Sequence, residues 1–494
     1  IPNLLRETLA EGALGASFTK VFSKLWEEDP QKARMVLVQS LWLATIFVGL
    51  LSALGMLLAP WLVKLLTMFA NQEDFGREFV QQATSLTRVL FPFILFMSVG
   101  AVASGALHQR GRFLLSSISS VMLNLGYIVG ALVFSELLEA TVPQYIDQAF
   151  ADRRVLGLAL GVLVGGMAQT GLQIWGLWRP FLKGFPLAAK RPLWNKHTKK
   201  IIALMLPMVI AASAGQINMI INTNFATTLQ QGAVSWLTFS FRLLQLPIGL
   251  FGVAVGAAAL PALTRAITKS GSHQDASVGR ELQNAVDFVL WLMAPCFVFF
   301  IWSSHEVITL IFKHGAFSDN ARNQTAAALA CYAFGLFGYA LIKVLTAYYY
   351  ARDRTGFAMR ASLVGIAVNL IFNSLLIERF GHLGIASTAS IVLTVNAVIL
   401  TLGIIPDRLP FEGIKFFKSL GIIGLSGAIA WLIILAVNPT LETVLPTLFA
   451  NEKILAVAMI CLKGGVIAIV FVAGGLIRLN STPRQLLTRW RRNS

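Results

Sequence analysis

Apolar residues recur along the whole chain in runs of roughly 20 or more, and short polar segments separate these runs. A helix of about 20 apolar residues crosses the hydrocarbon core of a bilayer, so each run predicts a membrane span. Residues 1–24 read as the inner part of a helix, and we expect further residues upstream of Ile1. The pattern predicts twelve spans after them: 36–66, 79–107, 113–138, 155–178, 201–229, 234–263, 284–312, 325–351, 358–377, 383–405, 414–437 and 454–478.

The pattern also repeats. The segment that contains Pro247 echoes the opening of the chain around Pro2, and the segment that contains Asn369 echoes the one around Asn124. Both pairs are offset by six predicted spans, so the two halves should run in the same direction across the membrane. The sequence thus predicts an all-α polytopic membrane protein with two pseudo-symmetric six-helix lobes, the first of them truncated. The predicted division is a first lobe at 1–183, a linker at 184–200, a second lobe at 201–405, an additional helix pair at 413–479 and a basic tail at 480–494.

Charge is scarce and unevenly placed. The chain is 56% hydrophobic and 13% charged, with a net charge of +17. Most loop lysines and arginines fall in one set of alternating loops, which the positive-inside rule assigns to the cytoplasm together with the C-terminus. This distribution favours anionic membrane lipid over nucleic acid as the reason for the basic balance. The tail at 480–494 is either a basic amphipathic segment on the inner leaflet or a solvated extension.

One span carries a charge deep inside it. Arg242 lies about eight residues in from Val234, some 12 Å at 1.5 Å per residue, which disfavours simple snorkelling to the interface. An arginine at that depth is costly unless it faces protein, water or an anion. Pro247 removes a backbone hydrogen bond nearby, and Gly249 and Gly252 leave room for a neighbour or a ligand. We therefore predict a bent helix that holds a guanidinium ready for an anion.

The opening helix also combines a proline with an arginine. Arg6 lies four residues after Pro2, on the helix that the repeat makes equivalent to that of Arg242. Helices related by such a repeat face one another across a central cavity, so the two arginines predict an anion site, and a guanidinium suits phosphate. Asn3 and Gln245 are candidate polar contacts to the same substrate. The residues proposed as hinges are Pro2, Pro247, Gly249 and Gly252.

Polar amides form a second group. Asn369 and Asn373 share one face of a predicted helix, and Asn222 lies in another span. Their oxygens could ligate Na⁺, but no carboxylate stands among them, and hydrogen bonds between helices are the favoured interpretation. The sequence shows no Walker loop, no HExxH pattern and no CxxC pair, so we predict neither a metal site, a cofactor nor a catalytic residue.

Four segments resemble the MurJ (MviN) family of lipid II flippases: PNLLRETLAEGALGASF, INTNFAT, GAVSWLTFSFRLLQLPIGLFGVAVGAAALPALT and YYYARDRTGFAM. The resemblance implies a MATE-like fold in which a last helix pair forms a groove for the lipid tail. It also implies that Arg6 and Arg242 correspond to cavity arginines. Gln245 stands where some relatives carry an acidic residue. Relatives with a sodium site use acidic ligands, whereas the matching positions here are Asn222, Asn369 and Asn373.

The expected function is translocation of undecaprenyl-pyrophosphate-linked disaccharide-peptide across the bacterial cytoplasmic membrane by alternating access. The expected partners are this lipid II substrate and membrane lipids, with the chain acting as a monomer, alone or beside the cell-wall synthesis machinery. Two other interpretations of the function stay open. One is a flippase for another lipid-linked glycan or a MATE-type exporter, although a cation exporter should carry cavity carboxylates. The other is a polytopic membrane glycosyltransferase, which the short outer loops disfavour.

Overall fold

The computed structural model describes residues 5–6, 14–66, 77–109, 112–143, 152–184, 193–270, 276–352, 354–407, 409, 413–449 and 451–478. Within them the chain is helical and contains no strand. The helices are α1 (Gly15–Glu28), α2 (Pro30–Leu66), α3 (Arg77–Leu90), α4 (Pro92–Gln109), α5 (Phe113–Val129), α6 (Ser135–Thr141), α7 (Arg153–Leu177), α8 (Lys196–Ala226), α9 (Ala233–Pro247), α10 (Ala254–Ser270), α11 (Ala276–Phe312), α12 (Asp319–Ala333), α13 (Gly335–Ala351), α14 (Thr355–Phe380), α15 (His382–Leu402), α16 (Gly413–Leu448) and α17 (Glu452–Arg478). Three π-helical turns, Gly130–Phe134, Trp178–Leu182 and Ile248–Val253, and one short 3₁₀ turn, Ile405–Asp407, complete the described elements.

The predicted membrane helices are present. In the described part of the chain, ten helices are long and apolar enough to cross a membrane, or eleven if a bent pair counts as one span. The remaining predicted span, 201–229, coincides with α8, in which the side chains of 207, 208 and 210–212 lie outside the described residues. The prediction of an all-α multi-pass membrane protein is therefore confirmed.

The predicted span 325–351 is not one straight helix. It consists of α12 and α13, which meet at an angle of 44° around Phe334. A bend frees backbone carbonyls that have no water to bind in a membrane. Here the Ser390 hydroxyl of α15 donates to the carbonyl oxygens of Cys331, at 2.8 Å, and Tyr332, at 3.3 Å. The hydroxyl supplies a partner at the bend.

The chain divides into two compact units, Ile1–Ile220 and Ile221–Ser494, and the division falls within α8. The predicted domain boundaries stay a prediction. In the first unit, α5 and α7 meet glycine to glycine. A Cβ on Gly161 would lie 2.4 Å from Gly130 Cα, and one on Gly126 would lie 2.5 Å from Gly161 O. Backbones can approach this closely only where both helices present glycine.

In the second unit, α10 packs closely on α13, where a Cβ on Gly256 would meet Lys343 O at 3.1 Å. The last two helices, α16 and α17, pack against α11 through a separate apolar cluster. Ala294 and Val298 of α11 meet Ala430 of α16 and Ile467 of α17 in this cluster. The additional helix pair is thus an integral part of the second unit.

Candidate substrate site

Arg242 lies on an exposed strip of α9. It is nine residues into the helix, about 13.5 Å at 1.5 Å per residue, and the surrounding span is long and apolar enough to cross a membrane. The side chain is exposed and forms no hydrogen bond or ion pair with the residues that the structure describes. No described residue balances the charge of this cation, so an anion or water must do so.

The strip continues along the helix at helical spacing. Gln245 and Gly249 are exposed beside Arg242, at i+3 and i+7, and Leu246 and Leu250 flank them. A Cβ placed on Gly249 would meet no atom within 4 Å, so this part of the strip opens onto free space. Gly252 is buried instead, and a Cβ placed on it would lie 3.6 Å from Met293 Cε. The structure therefore brings Arg242, Gln245 and Gly249 onto one surface and leaves Gly252 off it.

The helix changes its winding directly after Pro247. The proline ring is buried, and the π-helical turn Ile248–Val253 follows it at once. A proline cannot donate the hydrogen bond that its position requires, so the turn around it is free to widen. Single π-helical turns often mark functional segments of helices. The winding changes between Arg242 and Gly252, which is where the sequence predicts a hinge.

Arg6 belongs to the other unit and is described by itself. Its guanidinium carbon lies 5.8 Å from the centroid of the Phe93 ring of α4, a cation–π arrangement, and the side chain is half-buried. The backbone at Arg6 is also π-helical, as it is at Phe251, 245 residues later. The other two candidates of this segment, Pro2 and Asn3, lie outside the described residues.

The three candidate asparagines do come together. The Asn373 amide nitrogen donates to Asn222 Oδ1 at 2.9 Å and to Asn369 Oδ1 in a shorter contact, which joins α14 to α8. Asn369 and Asn373 are buried, and Asn373 Oδ1 has no partner among the described residues. In this arrangement two of the three amide oxygens already accept hydrogen bonds. The contacts fit an interhelical link, and the possible ion site stays a prediction.

Comparison with known proteins decides the family. The family model described as "Lipid II flippase MurJ" matches residues 1–476. The chain belongs to this family. Its relatives include the lipid II flippase MurJ of Burkholderia cenocepacia, 30% identical over 82% of this chain and 75% of that protein. The probable lipid II flippase MurJ of Haemophilus influenzae is also 30% identical, over 82% of this chain and 78% of that protein.

Solved structures agree on the fold of this MurJ-family chain. A lipid II flippase MurJ in an inward closed conformation matches with a TM-score of 0.72 and 19% identity, covering 96% of this chain and 89% of that one. An inward-facing multidrug resistance MATE family transporter of the MOP superfamily matches with a TM-score of 0.63 and 16% identity, over 85% and 90% of the two chains. The predicted MATE-like fold is therefore confirmed.

Sequence reasoning missed one buried charge pair of this MurJ-family chain. Lys463 of α17 donates to Glu306 Oε1 of α11 at 2.6 Å and to the Trp302 carbonyl at 3.0 Å. The side chain of Lys463 is 3% exposed and that of Glu306 15%. The sequence signal was present, because Glu306 is a carboxylate six residues before the end of an apolar helix. Its partner lies 157 residues away, a distance over which sequence pattern alone does not pair residues.

A second missed network lies where α13 and α15 end. The Asp407 carboxylate accepts from Tyr348 OH at 2.8 Å and from Arg354 Nη1 at 2.9 Å, and it forms an ion pair with Arg352. Tyr348, Arg352 and Asp407 are almost fully buried, whereas the Arg354 side chain is 51% exposed. Both arginines belong to the segment YYYARDRTGFAM that marks the family, and the network gives that segment a structural role.

Proposed function

We propose that this chain moves lipid II between the leaflets of the bacterial cytoplasmic membrane, as a transporter and not as an enzyme. Membership of the lipid II flippase MurJ family supports this function for the whole matched region. The observation that carries it at the level of residues is Arg242. It is an exposed guanidinium without a partner among the described residues, at depth in an apolar helix.

The chemistry of the substrate explains the need for such a group. The pyrophosphate of an undecaprenyl-pyrophosphate headgroup cannot cross a hydrocarbon core of about 30 Å unaided, because a charge in hydrocarbon is costly. A guanidinium offsets that loss of hydration with two parallel N–H donors, which fit two phosphate oxygens. In this proposal Arg242 binds the pyrophosphate, and Arg6 is a second candidate ligand for it.

The rest of the strip has a matching role. The Gln245 amide offers an NH₂ donor group and a carbonyl acceptor to the sugar or peptide, and the open space at Gly249 admits a bulky group. Pro247 and the π-helical turn Ile248–Val253 supply the hinge for alternating access. The polyprenyl tail stays in lipid beside the additional helices α16 and α17.

The orientation in this proposal follows from the loop charges, and the monomeric state is a separate part of it. The basic loops face the cytoplasm, which places the C-terminus there too. The same charges suit contact with anionic membrane lipids. The chain acts as a monomer, alone or beside the cell-wall synthesis machinery.

A MATE-type exporter of cationic drugs is the nearest rival, because the MATE neighbours share the fold. Such a protein would place a carboxylate where its cationic substrate binds. On the exposed strip of α9 the charged residue is Arg242, and no carboxylate lies between Ala233 and Ser270. The sign of the charge therefore favours an anionic substrate.

The test replaces Arg242 in cells that are depleted of their own flippase. Arg242→Ala should abolish the exposure of lipid II at the outer leaflet, whereas Arg242→Lys should restore only part of it because an ammonium lacks the bidentate fork. Arg379→Ala, at the exposed far end of α14, is the matched control and should behave as the parent chain. Normal lipid II exposure with Arg242→Ala at equal expression would refute the role of Arg242.

A further inference from the structure

A cavity of about 580 Å³ lies where three helices of the second unit end or begin. Tyr349 near the end of α13, Arg354 and Phe357 around the start of α14, and Gly403 just after α15 all line it. The apolar span Gly356–Phe380 begins beside the cavity and the span His382–Asp407 ends there, which places it near the depth of the lipid headgroups. The cavity is therefore interfacial, and it is distinct from the strip around Arg242.

The cavity is positively charged despite a carboxylate beside it. Asp407 is occupied by Arg352, Arg354 and Tyr348, so its charge is already balanced. Arg354 donates one hydrogen bond from Nη1 to Asp407 Oδ1, and about half of its side chain stays exposed. The excess positive charge is thus available to a ligand.

Arg360 adds a second cation to the same lining. It lies one helical turn after Gly356, and its guanidinium carbon is 5.7 Å from the centroid of the Phe357 ring. The side chain is exposed and forms no ion pair with the residues that the structure describes. Stacking on a ring orients a guanidinium without using its N–H donors, which stay free for an anion.

The floor of the cavity tolerates little change. A Cβ on Gly403 would fall 2.3 Å from the Phe357 ring and 2.5 Å from Tyr349 OH, so only glycine lets these two rings keep their places. At the mouth the reverse holds, since a Cβ on Gly356 would meet no atom within 4 Å. The cavity is therefore tightly packed beside Gly403 and open beside Gly356, where a ligand would enter.

We propose that this cavity binds the phosphate of an anionic glycerophospholipid headgroup, held by Arg354 and Arg360. The helix α14 begins at Thr355, directly after Arg354, so the positive end of its dipole lies beside the cavity lining. Basic pockets between membrane helices at the level of the headgroups are suited to such lipids. The proposal concerns a lipid ligand of the second unit and does not depend on the transported substrate.

The experiment measures how tightly the purified full chain binds phosphatidylglycerol and phosphatidylcholine, by native mass spectrometry from detergent micelles. We expect a clear preference for phosphatidylglycerol in the parent chain. Arg360→Gln should weaken that binding about tenfold, the size of one lost charge-assisted hydrogen bond. Arg379→Gln removes the same charge from the other end of the same helix and should leave binding unchanged.

A second variant tests the need for the open cavity and keeps the charges of Arg354 and Arg360. Gly356→Leu should fill the mouth of the cavity and weaken phosphatidylglycerol binding to a similar extent, with the helical circular dichroism and its thermal midpoint unchanged. Equal binding of the two lipids, or parent-like binding by both variants, would overturn the proposal. Full displacement of phosphatidylglycerol by glycerol 3-phosphate or inorganic phosphate at comparable concentration would also overturn it, since the ligand would then be a soluble phosphate.

Discussion

Arg242 and Lys463 are both basic residues inside apolar helices of the same unit, and their surroundings are opposite. Arg242 is exposed and has no partner among the described residues, whereas Lys463 is 3% exposed and bonds to both Glu306 and the Trp302 carbonyl. The sequence presents the two as the same kind of feature, a lone cation in a span. Their partners distinguish them, since one cation is left available for a ligand and the other joins two helices.

The largest expected effect comes from breaking the pair. Lys463→Met leaves the Glu306 carboxylate buried without its cation, which typically costs about 3–5 kcal/mol. We expect a markedly lower midpoint of thermal unfolding in detergent. Lys418→Met, at an exposed position of α16, is the control and should unfold as the parent does. An unchanged midpoint for Lys463→Met would mean that the pair does not hold α17 on α11.

The same change at Arg242 should act in the opposite direction. Arg242→Met removes an uncompensated cation from an apolar helix, so the folded chain should be as stable as the parent or more stable by up to about 2.5 kcal/mol. The same unfolding assay measures this. A loss as large as that of Lys463→Met would show that Arg242 has a structural partner, and the contrast between the two sites would disappear.

The smallest effect is expected when both members of the pair are replaced. Lys463→Met with Glu306→Leu leaves no buried charge, and such a replacement is often neutral, so stability should stay within about 1 kcal/mol of the parent. A double-mutant cycle with the two single variants measures the coupling. Simple addition of the two single losses would contradict a direct interaction between these side chains.

The sequence predicted the helices, and it shows Arg242 as a cation inside one of them, because both features depend on local pattern. An apolar run sets a span, and Arg242 beside Pro247 is visible without any partner. Helix ends were less predictable: the span predicted at 414–437 is part of α16, which continues to Leu448 through Pro439 and Pro446. Hydropathy marks where the membrane ends, whereas a helix can continue beyond it with its own hydrogen bonds.

Features that join distant segments were not predicted. The bend at Phe334 contains no proline, and its carbonyls are bonded by Ser390 from another helix. The link from Glu306 to Lys463 and the network around Asp407 also depend on which helices become neighbours. For the cavity beside Gly403, the sequence shows the arginines but not the space between them. Tertiary packing decides all of these.

The separation of Glu306 and Lys463 also bears on how the chain is made. A ribosome adds about 5–20 residues per second, so the 157 residues between them take roughly 8–30 s to synthesise. During that interval α11 is already available for membrane insertion, while the ammonium that its carboxylate needs has not yet been synthesised. Insertion of α17 therefore completes the charge balance of α11, which is synthesised earlier. Nascent chains stopped before Lys463 would carry the Glu306 carboxylate without this ammonium.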